Sequence, residues 1–178
     1  MIRKLKNNII LITSIIVMII VLLLVYFLIT NNKKTDTKIF KNDYYSFTYD
    51  TTWELTDNKK EVILNHNNKK STITITHKEL DTYLIDIELK DMISDVIYEV
   101  EKQNKDYKLL NKQYNEKYDR YELLYEKNKE QSLVYIIKQD NMLVFLYYNS
   151  LSEYFDITLD GFDTISNTLK IKSGERID

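Results

Sequence analysis

Hydrophobic residues along this chain first run together and then alternate. Residues 9–30, with Ile9 and Thr30 at the ends, form 22 positions without a charge, a Gly or a Pro. A helix of that length is about 33 Å long at 1.5 Å per residue, enough to cross a hydrocarbon core of about 30 Å. The pattern predicts a short basic tail over residues 1–8, a transmembrane anchor over residues 9–30 and a polar linker over residues 31–37. Residues 38–49 then read as a hairpin turning at Asn42-Asp43, with Tyr45, Phe47 and Tyr49 alternating onto one face. Trp53 follows as a packing anchor. Residues 61–65 and 71–77 read as strands joined by a turn at His66-Asn67-Asn68-Lys69. In the second strand Ile73 and Ile75 face one way and Thr72, Thr74 and Thr76 the other.

The period then changes. Ile85, Leu89, Met92, Ile93, Val96 and Val100 fall at helical spacing, with Asp81 or Asp86 as the cap and an end near Asn104. Four strands follow, over about residues 106–114, 117–126, 131–139 and 142–149. Turns are expected at Asn115-Glu116, Asn128-Lys129 and Asp140-Asn141, since Asn and Asp tolerate left-handed backbone. The near-continuous apolar runs of the last two strands predict central strands covered on both faces. Phe155, Leu159, Phe162, Ile165 and Leu169 make the stripe of a second helix, capped by Ser150 or Ser152. Gly161 lies inside it, where it costs about 1 kcal/mol against Ala or marks a kink. The tail from Lys170 onward is expected to fray.

This order of hairpin, two strands, helix, four strands and helix resembles the fold of the photosystem II extrinsic protein PsbP, the Mog-type Ran-binding proteins and the bacterial DcrB proteins. The resemblance rests on Asn42-Asp43-Tyr44-Tyr45-Ser46-Phe47-Thr48-Tyr49 followed by Trp53. It rests also on Tyr147-Tyr148-Asn149-Ser150 leading into Phe155, Phe162, Ile165 and Leu169. Such families often carry a Pro just before the Trp region, where this chain has Asp50-Thr51-Thr52. Over residues 38–172 the resemblance implies an α+β domain, an antiparallel sheet flanked by two helices in a PsbP-like α/β/α sandwich. It also implies a non-catalytic module that docks on membrane complexes or partner proteins. It carries over no functional residues, because no functional motif is matched.

Composition narrows the chemistry. Residues 1–34 carry five basic and no acidic side chains, leaving 20 basic against 27 acidic in the rest. A domain of that sign is not built for phosphate backbones, so no nucleic-acid partner is expected. The chain has two Gly, no Pro and no Cys. Phosphate-cradling loops need clustered Gly, and thiol catalysis and Cys-based metal sites need Cys, so these classes are excluded. The apolar run competes with a cleaved signal peptide, whose core is usually about 7–15 residues and ends in small residues. Here the run is longer and exits through Tyr26-Phe27-Leu28, which favours an anchor. Positive-inside counting is almost balanced between Arg3, Lys4 and Lys6 on one side and Lys33, Lys34, Lys38 and Lys41 on the other. The short N-terminal tail favours that end inside, placing the domain outside the cytoplasm at the cell membrane.

Candidate catalytic groups are few. His66 reads as an exposed turn residue and His77 as a satisfied histidine at a strand end, and neither belongs to a zinc-binding spacing. Asp156, Asp160, Gly161 and Asp163 lack the alternation of a calcium loop and fit a solvated helix face. Asp86, Asp91 and Asp95 read as the polar back of the first helix. No nucleophile elbow is present. No catalytic, cofactor or metal residue is assigned, and no enzyme is expected. The 15 Tyr are the real excess. Tyr118, Tyr121, Tyr125 and Tyr135 form a candidate partner surface, because half-exposed Tyr suits interfaces; strand propensity is the plainer explanation. The expectation is a bilayer-anchored accessory or assembly factor that docks on a membrane or envelope protein. A small-ligand or envelope-polymer binding domain is the alternative, with a hydrolase third.

Overall fold

A computed structural model describes residues 18–21, 36–58, 60–103 and 105–172. The chain divides into two units, Met1–Asp36 and Thr37–Asp178. In the first, residues 18–21 are helical and exposed. The rest of the expected anchor at residues 9–30 lies outside the described residues, as do the basic tail, the linker up to residue 35 and residues 173–178. Among the described residues no helix is long and apolar enough to cross a membrane.

The second unit opens with the expected hairpin, β1 (Thr37–Lys41) and β2 (Tyr45–Asp50). Asn42 turns the chain, its Oδ1 accepting the N–H groups of Tyr44 at 3.0 Å and Tyr45 at 2.9 Å. Then follow β3 (Trp53–Asp57), β4 (Glu61–His66) and β5 (Ser71–Glu79), a 3₁₀ turn over Thr82–Leu84, and helix α1 (Leu89–Gln103). Strands β6 (Lys108–Asn115), β7 (Arg120–Lys127), β8 (Glu130–Gln139) and β9 (Met142–Leu151) lead into helix α2 (Ser152–Thr168) and the short β10 (Lys170–Ile171).

The strands form an antiparallel seven-stranded sheet in the order β3-β4-β5-β9-β8-β7-β6 and a separate three-stranded sheet, β1-β2-β10. The fold is α+β. Its central strands are β9 and β8, as the apolar runs predict. The second sheet was not legible in the sequence. Residues Lys170–Ile171 pair with Ser46 and Tyr45 instead of fraying, and burial of Tyr45 and Phe47 lays this small sheet on the large one.

One face of the large sheet is covered over β4, β5 and β9. Val62, Leu64, Ile73, Ile75, Leu146 and Tyr148 point to it and meet α2 together with the small sheet. Gly161 lies where α2 passes over Trp53; closeness of approach, and not a kink, explains it. The expected Ser caps are absent: β9 runs through Leu151 into α2, and the Ser150 hydroxyl is buried. It joins Ser71 Oγ at 2.8 Å, which accepts from Thr158 Oγ1 at 2.8 Å, which in turn meets Tyr148 Oη at 2.7 Å. That buried polar chain ties β5, β9 and α2 together.

The opposite face is only half covered. Helix α1 packs Leu89, Met92, Ile93, Val96, Ile97 and Val100 over Leu123, Tyr125, Val134, Ile136 and Leu143. It begins at Leu89; Ile85 belongs to the preceding turn, and neither Asp81 nor Asp86 caps it. Beyond β9, the residues of β5 on this face are Thr72, Thr74 and Thr76, none of them buried. Among the described residues four non-Gly residues take positive φ: Asp119 (47°), Asn128 (55°) and Asp140 (50°), as expected of Asn and Asp in turns, and also Lys69 (57°).

Candidate functional site

Where α1 ends its coverage, a groove of about 400 Å³ opens along its flank. The period-two alternation of β9 produces its floor: Met142, Val144, Leu146 and Tyr148 face α2, so Leu143, Phe145 and Tyr147 face α1. Met92, Val96 and Val100 supply the helical wall at steps of four residues. Leu80 and Leu84 close one end. Thr76 and Lys78, neighbours of Phe145 and Leu143 in the β5–β9 register, form the far wall. Asp95 and Glu99 sit one turn apart on the helix edge, exposed, at the mouth. Among the described residues neither forms an ion pair.

The polar groups under α1 are not all satisfied. Burial pushes the Tyr147 hydroxyl up to about 12. The Tyr125 hydroxyl is buried without a hydrogen-bond partner among the described residues, and burial raises it, with the charge of Glu101 adding to the shift.

A second polar cluster lies on the other face of β6–β8. Arg120 and Glu122 are both buried, with Arg120 Nε donating to Glu122 Oε1 at 2.8 Å. Gln113 and Asn115 donate to the same carboxylate at 2.7 and 2.9 Å. Burial pushes Glu122 up, but these donors outweigh it and hold its carboxyl below the usual range. The Arg120 guanidinium lies 3.7 Å from the Tyr135 ring centroid and 4.6 Å from that of Tyr118. Burial also raises Asp163 on α2, with Arg120 opposing it. A depression of about 230 Å³ beside Glu122, Tyr135 and Phe155 is half the size of the groove. Arg120, Gln113 and Asn115 all donate to the Glu122 carboxylate, so this cluster reads as a structural clamp between β6 and β7.

The four candidate tyrosines are not brought onto one surface. Tyr125 is buried under α1, and Tyr135 is buried on the opposite face against Phe162. Tyr118 is exposed in the β6–β7 turn, because β7 begins at Arg120 and not at Lys117. Tyr121 is half-buried on the α1 face, its ring 5.0 Å from that of Tyr114. His66 is a correction: it ends β4 and packs edge-on against Trp53, 4.9 Å between centroids, with Nδ1 accepting the Asn68 N–H. The His77 ring lies 3.9 Å from that of Tyr44, tilted by 34°; it is not the satisfied histidine expected, because its Nδ1 is buried without a hydrogen-bond partner among the described residues, and burial lowers its pKa. Among the described residues no carboxylate is hydrogen-bonded to it. Asp156 and Asp160 are exposed on α2. Among the described residues no three His, Cys, Asp or Glu side chains are grouped to hold a metal.

The groove itself was missed. Its signal was present in the strict alternation of Leu143, Phe145 and Tyr147 beside threonines of β5, but that pattern does not say where a helix stops covering a sheet.

No protein-family model matches the chain, and comparison with curated proteins finds no relative. Solved structures do match. The cyanobacterial PsbP of Synechocystis sp. PCC 6803 is 15% identical, with a TM-score of 0.59 over 79% of this chain and 95% of that one. The Ran-binding protein Mog1p of Saccharomyces cerevisiae is 8% identical, with a TM-score of 0.55 over 78% of this chain and 96% of that one. The chain therefore has the fold shared by PsbP and the Mog-type Ran-binding proteins, as the order of elements and the placement of the aromatic residues led us to expect.

Proposed function

We propose that this is a single-pass membrane protein whose domain lies outside the cytoplasm and docks on a partner protein, as an accessory or assembly factor of an envelope complex. The observation that carries this reading is the groove. α2 and the small sheet bury most of one face of the sheet, whereas on the other Phe145 and Tyr147 lie only half-buried in a groove at the edge of α1. The uncharged run at residues 9–30, of which residues 18–21 are helical and exposed, supplies the tether. A short linker before β1, which begins at Thr37 and not after it, keeps the partner near the membrane surface. The reading assigns no reaction: among the described residues no carboxylate is hydrogen-bonded to His77, and the Glu122 carboxylate is taken up by Arg120, Gln113 and Asn115.

The same groove favours a second reading. Its volume of about 400 Å³ fits a small apolar ligand or an envelope-polymer fragment. Cross-linked co-purification of the full-length protein from its native membrane separates the two. One stoichiometric membrane partner supports docking. No partner, together with thermal stabilisation by small apolar ligands, transfers the site to the second reading.

A further inference from the structure

We infer that the groove beside α1 takes a basic amphipathic helix of a partner protein. This rests on the docking reading and names the chemistry of its partner. The floor and wall are apolar, from Phe145 and Tyr147 below to Met92, Val96 and Val100 at the side. The lining of α1 runs from Met92 to Val100, about 12 Å at 1.5 Å per residue, or roughly two turns of an occupying helix. Two turns present two or three apolar side chains on one stripe. An apolar groove alone would accept many occupants; its rim narrows the choice.

Asp95 and Glu99 stand at the mouth four residues apart, exposed, and without an ion-pair partner among the described residues. Basic residues four apart on an occupying helix have the same spacing and meet both carboxylates. Lys78 is the one cation in the lining and lies across the groove on β5, where it disfavours a basic side chain on that wall. The rim is thus polarised: acid on the helix side, base on the strand side. An occupant with Lys or Arg flanking only one side of its apolar stripe fits both walls. The acidic balance beyond residue 34 adds long-range attraction to such a helix.

The test uses the full-length protein in nanodiscs of zwitterionic lipid, with empty nanodiscs as the blank. The probes are an 18-residue synthetic Leu/Lys amphipathic peptide and its Leu/Glu counterpart. The chain has no Cys, so Thr76→Cys and Asp160→Cys place single fluorophores in the groove and on the far layer. The Leu/Lys peptide is expected to bind and to change the signal at position 76 alone. Asp95→Asn with Glu99→Gln should weaken it about tenfold or more. Asp156→Asn with Asp160→Asn removes the same charge from α2 and should change affinity less than about twofold. Equal loss in both pairs, equal binding of the Leu/Glu peptide, or no binding overturns the inference. A native partner still recovered by cross-linking in those cases leaves docking standing and removes only this assignment of its chemistry.

Discussion

A Cβ on Gly161 would sit 2.3 Å from Nε1 of Trp53 and 2.9 Å from its Cε2. Helix α2 thus rests directly on the indole, and the fold needs glycine at that point. Helix propensity alone would make Gly161→Ala stabilising by about 1 kcal/mol. The clash with a buried ring is larger, so the substitution is expected to destabilise by about 1–3 kcal/mol. Urea denaturation followed by far-UV circular dichroism measures it, a signal that does not depend on Trp53, the single Trp. Trp53→Phe in the Gly161→Ala background should recover part of the loss, and additive losses would contradict the contact.

Arg120 and Glu122 make a different prediction. Their side chains are 5% and 10% exposed, so removing one leaves a buried charge behind. Arg120→Leu is expected to cost about 3–5 kcal/mol, and Arg120→Leu with Glu122→Leu distinctly less. Thermal unfolding of the three proteins checks the order. A double variant less stable than Arg120→Leu would show that the pair does more than compensate its own burial.

His77 predicts a pH dependence. Burial lowers its pKa, and the charge of Glu79 opposes this only in part. The unfolded chain takes up a proton near pH 6.5, while the folded chain stays neutral to lower pH. The contribution to stability is therefore complete above about pH 6.5 and is lost as pH falls from there toward the folded pKa. His77→Phe, which keeps a ring against Tyr44, should flatten the fall in denaturation midpoint between about pH 7 and pH 5.5. An unchanged slope would assign the dependence to other groups.

The proposed tether is tested by extraction. Full-length protein should stay with membranes through alkaline carbonate washing, and residues 37–178 alone should be released. Protease added to intact cells should remove the domain. A domain protected until lysis would place it in the cytoplasm.

Much of this fold is readable from local pattern. Asn42, Asn128 and Asp140 marked their turns because few other residues take those conformations cheaply. The unbroken apolar runs of β8 and β9 marked the sheet centre because only doubly covered strands tolerate them. Non-local events were not readable. Nothing in Lys170-Ile171 announces that it adds to β2, and the Ser150 hydroxyl gives no sign that its partner is Ser71 and not a helix terminus. The tyrosines misled for the same reason: Tyr125 and Tyr135 face opposite layers, and residue type does not reveal which helix covers each.

The central claim is that the open flank of α1 is where a partner sits. A photo-cross-linking residue at position 99, in full-length protein within its native membrane, tests this most directly, with position 160 on α2 as the reference. Adducts to one membrane protein from position 99 and none from position 160 are the predicted result. No adduct from position 99, or the same adducts from both, would contradict it.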